Sequence, residues 1–356
     1  MRTKSFIISV VALCCSMAAQ AQYATLQKSN GDVTVYYGNA ALVDALNDAE
    51  QTGSVITLSG GTFGNPGTIT KSVKIYGAGY ETDASKGITA TTIDRYYPYP
   101  LPDPQPPICF QSADEGDMLD GVTIEGVRLF SYAWPFCVQR VKNLVISKCN
   151  FGYLKIIGEH VQNVTVRQCS ISSGFISGDY KVDGVLFQNC HFANSSCSYN
   201  IPESRLQIDH CIITYGDNYG VNAIYSNNII NVKSLPAGST ARNNIFTNSS
   251  LTSLDVSIDA SGNWFKVGMG SLFTDGTNLN LDSPSTRTFT LKDNLLSTYV
   301  GTDGTPVGIN GGGYTWNIIP TTPKVNGLTL TPSGTTLNVT YDAQTREDPN
   351  TLNTGE

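Results

Sequence analysis

A short pattern repeats along the middle of the chain and constrains the fold more than any other feature of the sequence. Each copy of the pattern spans eight residues. Positions 1, 3 and 8 are apolar, and position 6 is a residue that we call the anchor. Successive anchors lie 20, 21, 21, 17, 16 and 19 residues apart. Val127 takes the anchor position one copy earlier, and Ala78 takes it once more before a long insertion. The anchors are cysteine in four copies and asparagine in the next three, which are Cys149, Cys169, Cys190, Cys211, Asn228, Asn244 and Asn263.

This repeat predicts a stack of parallel β-strands. Alternation with period two is typical of a strand, and the two residues before the anchor indicate a tight bend between two strands. A repeat of about 16–22 residues matches one turn of a β-solenoid, in which every turn pairs with the next. We therefore expect an all-β fold whose anchors lie above one another about 4.8 Å apart. Asparagine amides can hydrogen-bond along such a ladder, and cysteine fits the same place as a small buried residue.

Three stretches resemble the right-handed parallel β-helix proteins of the pectate-lyase-like superfamily. They are residues 40–79, the Cys/Asn ladder, and residues 289–312 with Phe289–Lys292 and Gly301–Gly312. The chain is especially similar, over residues 32–320, to the secreted β-helix repeat proteins of Gram-negative gut bacteria. The resemblance implies a right-handed parallel β-helix whose N-terminal end is capped by an amphipathic helix at residues 40–50. Most members of that group lack an assigned activity, so the resemblance implies little about function.

The first 21 residues have the pattern of a secretory signal peptide. Arg2 and Lys4 precede an apolar stretch at residues 6–13, and small residues at 19 and 21 form a cleavage site. The apolar stretch is shorter than the roughly 20 residues that a bilayer requires. We therefore expect an exported protein without a transmembrane span, located in the periplasm, at the cell surface or outside the cell. The alternative is lipid anchoring at Cys14 or Cys15, which Leu13 disfavours because a small residue normally precedes the lipidated cysteine.

The sequence predicts one large domain with a short C-terminal addition. We assign residues 1–21 to the signal peptide, 22–319 to the β-helix domain, 320–342 to a linker and β-hairpin, and 343–356 to a disordered tail. The proline-rich segment 96–107 cannot join a central strand, because proline lacks the N–H that the ladder needs. A net charge of −7 with only 22 Lys and Arg residues argues against nucleic acid as a partner.

Seven cysteines remain after removal of the signal peptide, an odd number for an exported protein. We expect the four ladder cysteines to be buried and reduced, because parallel stacked side chains fit a disulfide poorly. The pairing of Cys109, Cys137 and Cys197 stays open, and no Cys/His group has zinc spacing. His191 and His210 flank ladder cysteines, and we expect both to be exposed in the turns.

The candidate functional residues come from the register of the repeat. Arg140, His160 and Lys181 each lie nine residues before an anchor, so they are expected to stack on successive repeats. In other β-helix proteins of the superfamily that this chain resembles, the loop side that would hold these residues carries the polysaccharide groove. Arg140, His160 and Lys181 are therefore our catalytic candidates. The alternative is a solvated charged edge that discourages edge pairing. The candidate ligand-binding residues lie in the same band, on neighbouring strands or near the proline-rich segment, and they are Lys142, Lys155, Glu159, Asp179, Asp183, Glu203, Arg205, Tyr96, Tyr97 and Tyr99.

The catalytic motifs known from enzymes of the pectate-lyase-like superfamily are absent from this sequence or incomplete. The chain has no Asp-Asp pair and no His-Gly, both of which the polygalacturonase-like hydrolases carry. We therefore expect an exported protein that binds a glycan, acidic glycans included, or that acts as a structural or surface protein. We expect it to need no cofactor. The oligomeric state stays open.

The alternative function is a polysaccharide lyase or glycoside hydrolase that acts on an acidic polysaccharide. In a lyase, Arg140 or Lys181 would abstract a proton beside a carboxylate. Glu159, Asp179 or Asp183 would then hold calcium, whose preferred ligands are carboxylate oxygens.

Overall fold

The computed structural model describes most of the chain. The described residues are 22–82, 88–96, 108–129, 136–157, 160–172, 174–177, 182–193, 198–199, 206–216, 220–221, 223–275, 288–321, 324–333 and 336–344. The expected signal peptide, residues 97–107 of the proline-rich segment, Cys197 and residues 345–356 of the expected tail lie outside them.

The largest sheet, which we call the first sheet, has 13 strands within the described residues. β1 pairs antiparallel with β2 and with β3, and the other pairs of this sheet are parallel. Its strands are β1 (Tyr23–Gln27), β2 (Val33–Tyr37), β3 (Thr52–Leu58), β6 (Ser72–Tyr76), β9 (Leu119–Asp120), β10 (Thr123–Glu125), β13 (Val141–Ser147), β16 (Val161–Arg167), β19 (Val182–Gln188), β22 (Leu206–Asp209), β25 (Ile224–Ser226), β27 (Thr240–Arg242) and β29 (Asp259–Ser261).

Two further parallel sheets take the strands between those of the first. The second sheet consists of β4 (Gly61–Asn65), β7 (Thr91–Tyr96), β11 (Arg128–Leu129), β14 (Asn150–Phe151), β17 (Ser170–Ile171), β20 (His191–Phe192), β23 (Ile212–Gly216), β26 (Ile229–Val232) and β28 (Ile245–Phe246). The third sheet consists of β5 (Thr68–Ile69), β8 (Ile108–Gln111), β12 (Phe136–Gln139), β15 (Leu154–Ile157) and β18 (Gly174–Ser177). A short parallel pair joins β21 (Ser198–Tyr199) to β24 (Gly220–Val221).

Each repeat of the sequence visits these sheets in turn. Strands β13, β14 and β15, which are consecutive in the chain, lie in the first, second and third sheets, and the next repeat does the same with β16, β17 and β18. The expected all-β class with long parallel sheets is confirmed, and the arrangement is compatible with a β-solenoid.

The apolar residues of the repeat form a continuous core. Ile124, Ile146 and Val166 are register partners on adjacent strands, and all three are buried in one apolar cluster. Val145 and Thr165, which alternate with them, are only half-buried. Because side chains alternate between the faces of a strand, the spacing of apolar residues in the sequence decides which residues face inward.

From β10 onward, a left-handed residue makes the bend between the first and the second sheet. The residue directly before each anchor has a positive φ, between 49° and 60°, at Lys148, Gln168, Asn189, His210, Asn227 and Asn243. Glycine takes this place at Gly126 and Gly262. Asparagine tolerates the left-handed region better than most residues, which explains its frequency at this position.

The described residues contain few helices, and these are short. The helix α1 (Ala41–Asp48) lies within the expected range 40–50 and contacts β1, β2 and β4, with Ala41, Leu42 and Ala45 fully buried. Near the C-terminal end, α2 (Met269–Leu272) and a 3₁₀ turn (Asp293–Leu295) precede the last part of the chain.

Residues 299–321, which we call the C-terminal strap, lie across the bends. The Val300 carbonyl accepts a hydrogen bond from Asn243, while Thr321 at the other end donates to the Glu125 carboxylate. The strap therefore runs back along the stack, from late repeats to early ones. Its Val307 and Ile309 are buried in a second apolar cluster that includes Ile212, Ile229 and Ile245 of the second sheet.

The chain continues into two antiparallel strands. β30 (Lys324–Ser333) pairs with β31 (Thr336–Gln344), in the region where the sequence predicts a hairpin. β31 extends two residues beyond the expected boundary at residue 342.

Candidate functional site

The structure places two of the three catalytic candidates at equivalent positions. Val141 pairs with Val161, and Val161 pairs with Val182, so the preceding residues Arg140 and His160 follow the same register. Both are left-handed, with φ of 49° and 53°. Lys181 precedes Val182 but lies outside the described residues.

Arg140 and His160 nevertheless differ in exposure. The Arg140 residue is only 8% exposed, whereas His160 is open to solvent. The expected row of exposed cations is therefore interrupted at Arg140, and among these two candidates only His160 is available to a ligand on the surface.

A polar row borders these residues on the outer face of the first sheet. Lys142 pairs in register with Gln162, which pairs with Asp183. Lys142 Nζ also lies 3.3 Å from Asp120 Oδ2 in an exposed ion pair. Lys142, Gln162 and Asp120 are all at least partly accessible, so this part of the sheet presents both signs of charge to solvent.

A second, exposed ladder runs beside this row, and our sequence analysis did not find it. Asn163 Nδ2 donates to Asn143 Oδ1 at 2.5 Å, and Asn143 Nδ2 donates to Asp120 Oδ1 at 2.7 Å. Both asparagines are left-handed, and Gly184 takes the next position with φ of 69°. The hydrogen bond from Asn143, aided by Lys142, lowers the pKa of the Asp120 carboxyl. The Asn or Gly three residues after each Arg140-equivalent position is a signal that could have revealed this ladder.

The other expected ligand-binding residues are dispersed or fall outside the described residues. Lys155 lies in the third sheet, where it pairs in register with Cys137, so it does not join the polar row. Asp183 lies in β19 of the first sheet and is half-buried. The side chain of Tyr96 is not described. Outside the described residues lie Glu159, Asp179, Glu203, Arg205, Tyr97 and Tyr99.

The described part of the chain holds no group of three or more His, Cys, Asp or Glu residues placed to bind a metal ion together. Of the carboxylates expected to hold calcium in a lyase, only Asp183 is described. None of the described helices has the length and apolar character to cross a membrane.

The Cys/Asn ladder lies inside the stack. Cys149, Cys169, Cys190 and Cys211 are fully buried and free. Backbone N–H groups donate to the next anchor, at 3.3 Å from Cys190 to Cys211 Sγ and at 2.7 Å from Cys211 to Asn228 Oδ1. Each anchor therefore satisfies the backbone of the preceding turn.

Asparagine binds the turns more completely than cysteine does. Asn228 Nδ2 donates to the Ile208 carbonyl at 2.7 Å and to Asn244 Oδ1 at 2.9 Å. Asn244 repeats this with the Tyr225 carbonyl and with Asn263 Oδ1. A buried amide with all these partners gains net stability, whereas the thiols offer weaker donors.

The expectation that His191 and His210 are exposed in the turns is wrong. Both are fully buried, because residues 288–321 pack over the bends. The His191 ring lies 5.2 Å from the ring of Phe289. His210 lies between two oxygen atoms, with Nδ1 at 3.2 Å from the Gly308 carbonyl and Nε2 at 3.2 Å from Asp303 Oδ2.

Side chains of the bends hold the C-terminal strap by its backbone. Asn189 Nδ2 donates to the carbonyls of Ile309 and Gly311, each at 2.8 Å. Asn227 exchanges hydrogen bonds with Thr302, and Gln168 donates to the Thr315 carbonyl. The residues directly before the anchors are thus a docking row for the strap rather than a free surface.

Comparisons with known proteins add no relative: no family model, no curated protein and no solved structure matches the chain.

Proposed function

We propose that this protein is an exported right-handed parallel β-helix of the pectate-lyase-like type that binds an extended acidic glycan without cleaving it. The observation that most supports this proposal is the register of the exposed polar residues on the first sheet. Lys142 on β13 pairs in register with Gln162 on β16, His160 directly precedes β16, and Asn163 of β16 is hydrogen-bonded to Asn143 of β13. The signal-peptide pattern of residues 1–21 supports export.

A parallel sheet suits an extended polymer for a geometric reason. It presents equivalent side chains at a constant spacing of about 4.8 Å from strand to strand. An extended polysaccharide likewise presents one repeated set of hydroxyl and acidic groups per sugar along its axis. Amide groups and the His160 ring can then hydrogen-bond to successive sugars, and Lys142 supplies a cationic partner for acidic groups.

Arg140 argues against the lyase alternative at this position. A base that removes a proton from a polymer must reach it within hydrogen-bond distance, and Arg140 is buried. The lyase alternative is retained as one outcome of the test.

The test is retention of the mature protein in gels that contain polygalacturonate, alginate or a sulfated glycan, with a neutral glycan as reference. We expect retention by an acidic glycan at low salt and its loss at high salt, because salt screens exposed charges. Lys142→Gln should weaken binding about twofold to fivefold. Lys266→Gln is the matched control, since Lys266 is exposed and lies far along the stack.

Products of the same incubations separate the outcomes. Unsaturated uronate formed by the wild-type protein, and lost on chelation of calcium, would replace the binding proposal with the lyase alternative. Absence of both retention and product for every acidic glycan would overturn the proposal. Equal retention of Lys142→Gln and Lys266→Gln would show that the binding surface does not include the polar row.

A further inference from the structure

The first sheet ends in β2, and one side of this strand has no neighbouring strand among the described residues. Gly38, directly after β2, donates its backbone N–H to the carbonyl of Gln22, directly before β1, at 2.9 Å. Hydrogen-bonded residues alternate along an antiparallel pair, so every second residue back from Gly38 also bonds to β1. The backbone N–H and C=O groups of Val33, Val35 and Tyr37 therefore point to the free side of β2.

The same three residues belong to an exposed apolar surface. Eight large apolar side chains are exposed among the described residues, and four of them lie on the β1–β2 hairpin, which are Tyr23, Val33, Val35 and Tyr37. Tyr23 and Tyr37 are register partners, and their ring centres lie 6.5 Å apart. Because side chains alternate between the faces of a strand, Val33, Val35 and Tyr37 share the outer face. β2 thus combines unpaired backbone groups with an apolar surface, a combination that favours pairing with another strand.

The opposite face of β2 is fixed to the body of the protein. Tyr36 packs against the apolar core and donates its hydroxyl hydrogen to Asp48 Oδ2 of α1 at 2.7 Å. Ala24 and Leu26 of the neighbouring β1 are fully buried. The free side of β2 is therefore formed before any partner binds, which lowers the ordering cost of association.

The two terminal strands of the first sheet differ in their protection against pairing. Terminal strands are commonly protected by charged residues, proline or β-bulges. β29, the other terminal strand, is exposed throughout, and its Asp259 forms an ion pair with Arg242. β2 contains no charged residue and no proline, and its register with β1 has no bulge. Pairing of β2 with β29 would set apolar side chains against polar ones, so a second β2 is the better partner.

The sequence of β2 is complementary to itself in an antiparallel pair. A two-fold axis through Val35 places Val35 opposite its own copy and Val33 opposite Tyr37 of the second copy. These are the residues whose backbone groups point to the free side, so each pair can exchange both of its hydrogen bonds. Pairs of an aromatic and a β-branched residue stabilise neighbouring strands, and a two-fold interface uses the same surface on both copies.

We propose that β2 is a self-association surface, through which two copies of this protein form an antiparallel β2–β2 pair that joins their first sheets. The pair is small, because each strand has five residues. Interfaces below about 1,200 Å² are typical of weak and transient complexes. The expected state is therefore an equilibrium between monomer and dimer that depends on concentration.

The test is sedimentation velocity of the mature full-length protein over a wide range of concentrations. We expect the dimer fraction to rise with concentration. Val35→Lys should weaken dimerisation about tenfold, because it sets two ammonium groups opposite each other at the two-fold axis. Val256→Lys is the matched control, since Val256 is fully exposed and precedes β29 at the other end of the sheet. It should dimerise like the wild type.

A charge exchange tests the register of the pair. Val33→Lys and Tyr37→Glu should each weaken the dimer, whereas the double variant Val33→Lys/Tyr37→Glu should recover it, because each new ammonium group then faces a carboxylate of the other copy. The two positions lie about 13 Å apart along one strand, so the new charges do not pair within a monomer. Val33→Lys/Tyr37→Lys is the control and should stay monomeric.

Melting temperatures close to that of the wild type show that these surface variants fold, so loss of the dimer can be separated from loss of structure. A wild-type protein that stays monomeric at every concentration would overturn the proposal. A dimer that Val35→Lys leaves unchanged, or that the charge exchange does not recover, would overturn it as well. A monomer whose retention by a glycan falls with Tyr37→Ala would replace the second copy with a sugar that stacks on the tyrosine pair.

Discussion

The two edges of the first sheet have the same local backbone but opposite surroundings. At the edge where its strands begin, which we call the open edge, Asn143, His160 and Asn163 have positive φ and are exposed. At the edge where the strands end, the covered edge, Gln168 and Asn189 have similar φ and are fully buried. Local conformation and residue type therefore do not decide which polar row is available to a ligand. The C-terminal strap decides it, because the strap lies on the covered edge alone.

The largest expected effect comes from forcing the strap off the covered edge. A Cβ atom at Gly311 would lie 1.8 Å from the Pro306 carbonyl oxygen and 2.4 Å from His210 Nδ1. Gly311→Val should therefore destabilise the protein by about 3 kcal/mol and open residues 299–321 to proteases. Gly313→Val is the control, since a Cβ there meets nothing within 4 Å. Urea unfolding and limited proteolysis measure both, and equal behaviour of the two variants would mean that the strap does not cover this edge.

The next prediction compares one asparagine from each edge. Asn189 and Asn163 have φ of 49° and 52°, so replacement by alanine costs both the same backbone preference. Asn189→Ala also removes two buried hydrogen bonds to the strap, whereas Asn163→Ala removes one exposed bond. We expect Asn189→Ala to be more destabilising by about 1–3 kcal/mol, measured by chemical unfolding. A difference near zero would show that the strap contributes no stability at this bend.

The third prediction concerns acid stability at Asp303 on the strap. Burial raises the pKa of Asp303, but hydrogen bonds from Thr305 and the neighbouring His210 outweigh burial, so the net pKa is lowered. A carboxyl with a lowered folded-state pKa stabilises the protein above its unfolded value, about 3.9, and this contribution is lost as the pH falls through the folded value. The wild type should therefore lose more stability than Asp303→Asn between about pH 5 and about pH 2.5.

Asp303 is partly exposed, so the difference should stay below about 1 kcal/mol after solvent screening. Melting temperatures across this pH range measure it, with Asp120→Asn as the open-edge comparison. Parallel curves for the wild type and Asp303→Asn would contradict the assignment.

The smallest expected effect compares one cation from each edge. Arg167 lies 4.6 Å from the centre of the Tyr314 ring on the strap, whereas Lys142 has its exposed ion pair with Asp120. Arg167→Gln should cost about 0.5–1 kcal/mol, and Lys142→Gln should stay within about 0.5 kcal/mol. Thermal unfolding measures both variants. A larger effect for Lys142→Gln would mean that the open edge is a structural element rather than a free surface.

Much of the stacked body could be predicted from the repeat. The spacing of the anchors placed Cys149, Cys169, Asn228 and Asn244 at equivalent bends, and the structure has them buried in one ladder. The register that aligned Arg140 with His160 followed from the same count. These features are local, because a stack of similar turns repeats the environment of each position from one turn to the next.

Other features of the candidate site did not follow from the repeat. The burial of His191 and His210 depends on contacts with residues about 100 positions later, such as the bond from Asn189 to Gly311 across 122 residues. The ladder from Asn143 to Asn163 was missed because its residues are polar and carry no apolar periodicity.

The sequence by itself determined the period of the stack, the inward or outward direction of each strand residue, and the positions that tolerate a left-handed bend. Alternation and anchor spacing carry this information, since each turn pairs with a neighbour of similar sequence. Only the tertiary structure decided which polar edge stays open and which becomes a docking row. That choice depends on where residues 299–321 fold back, and it is made by hydrogen bonds to their backbone carbonyls, groups that every residue carries and no sequence pattern distinguishes.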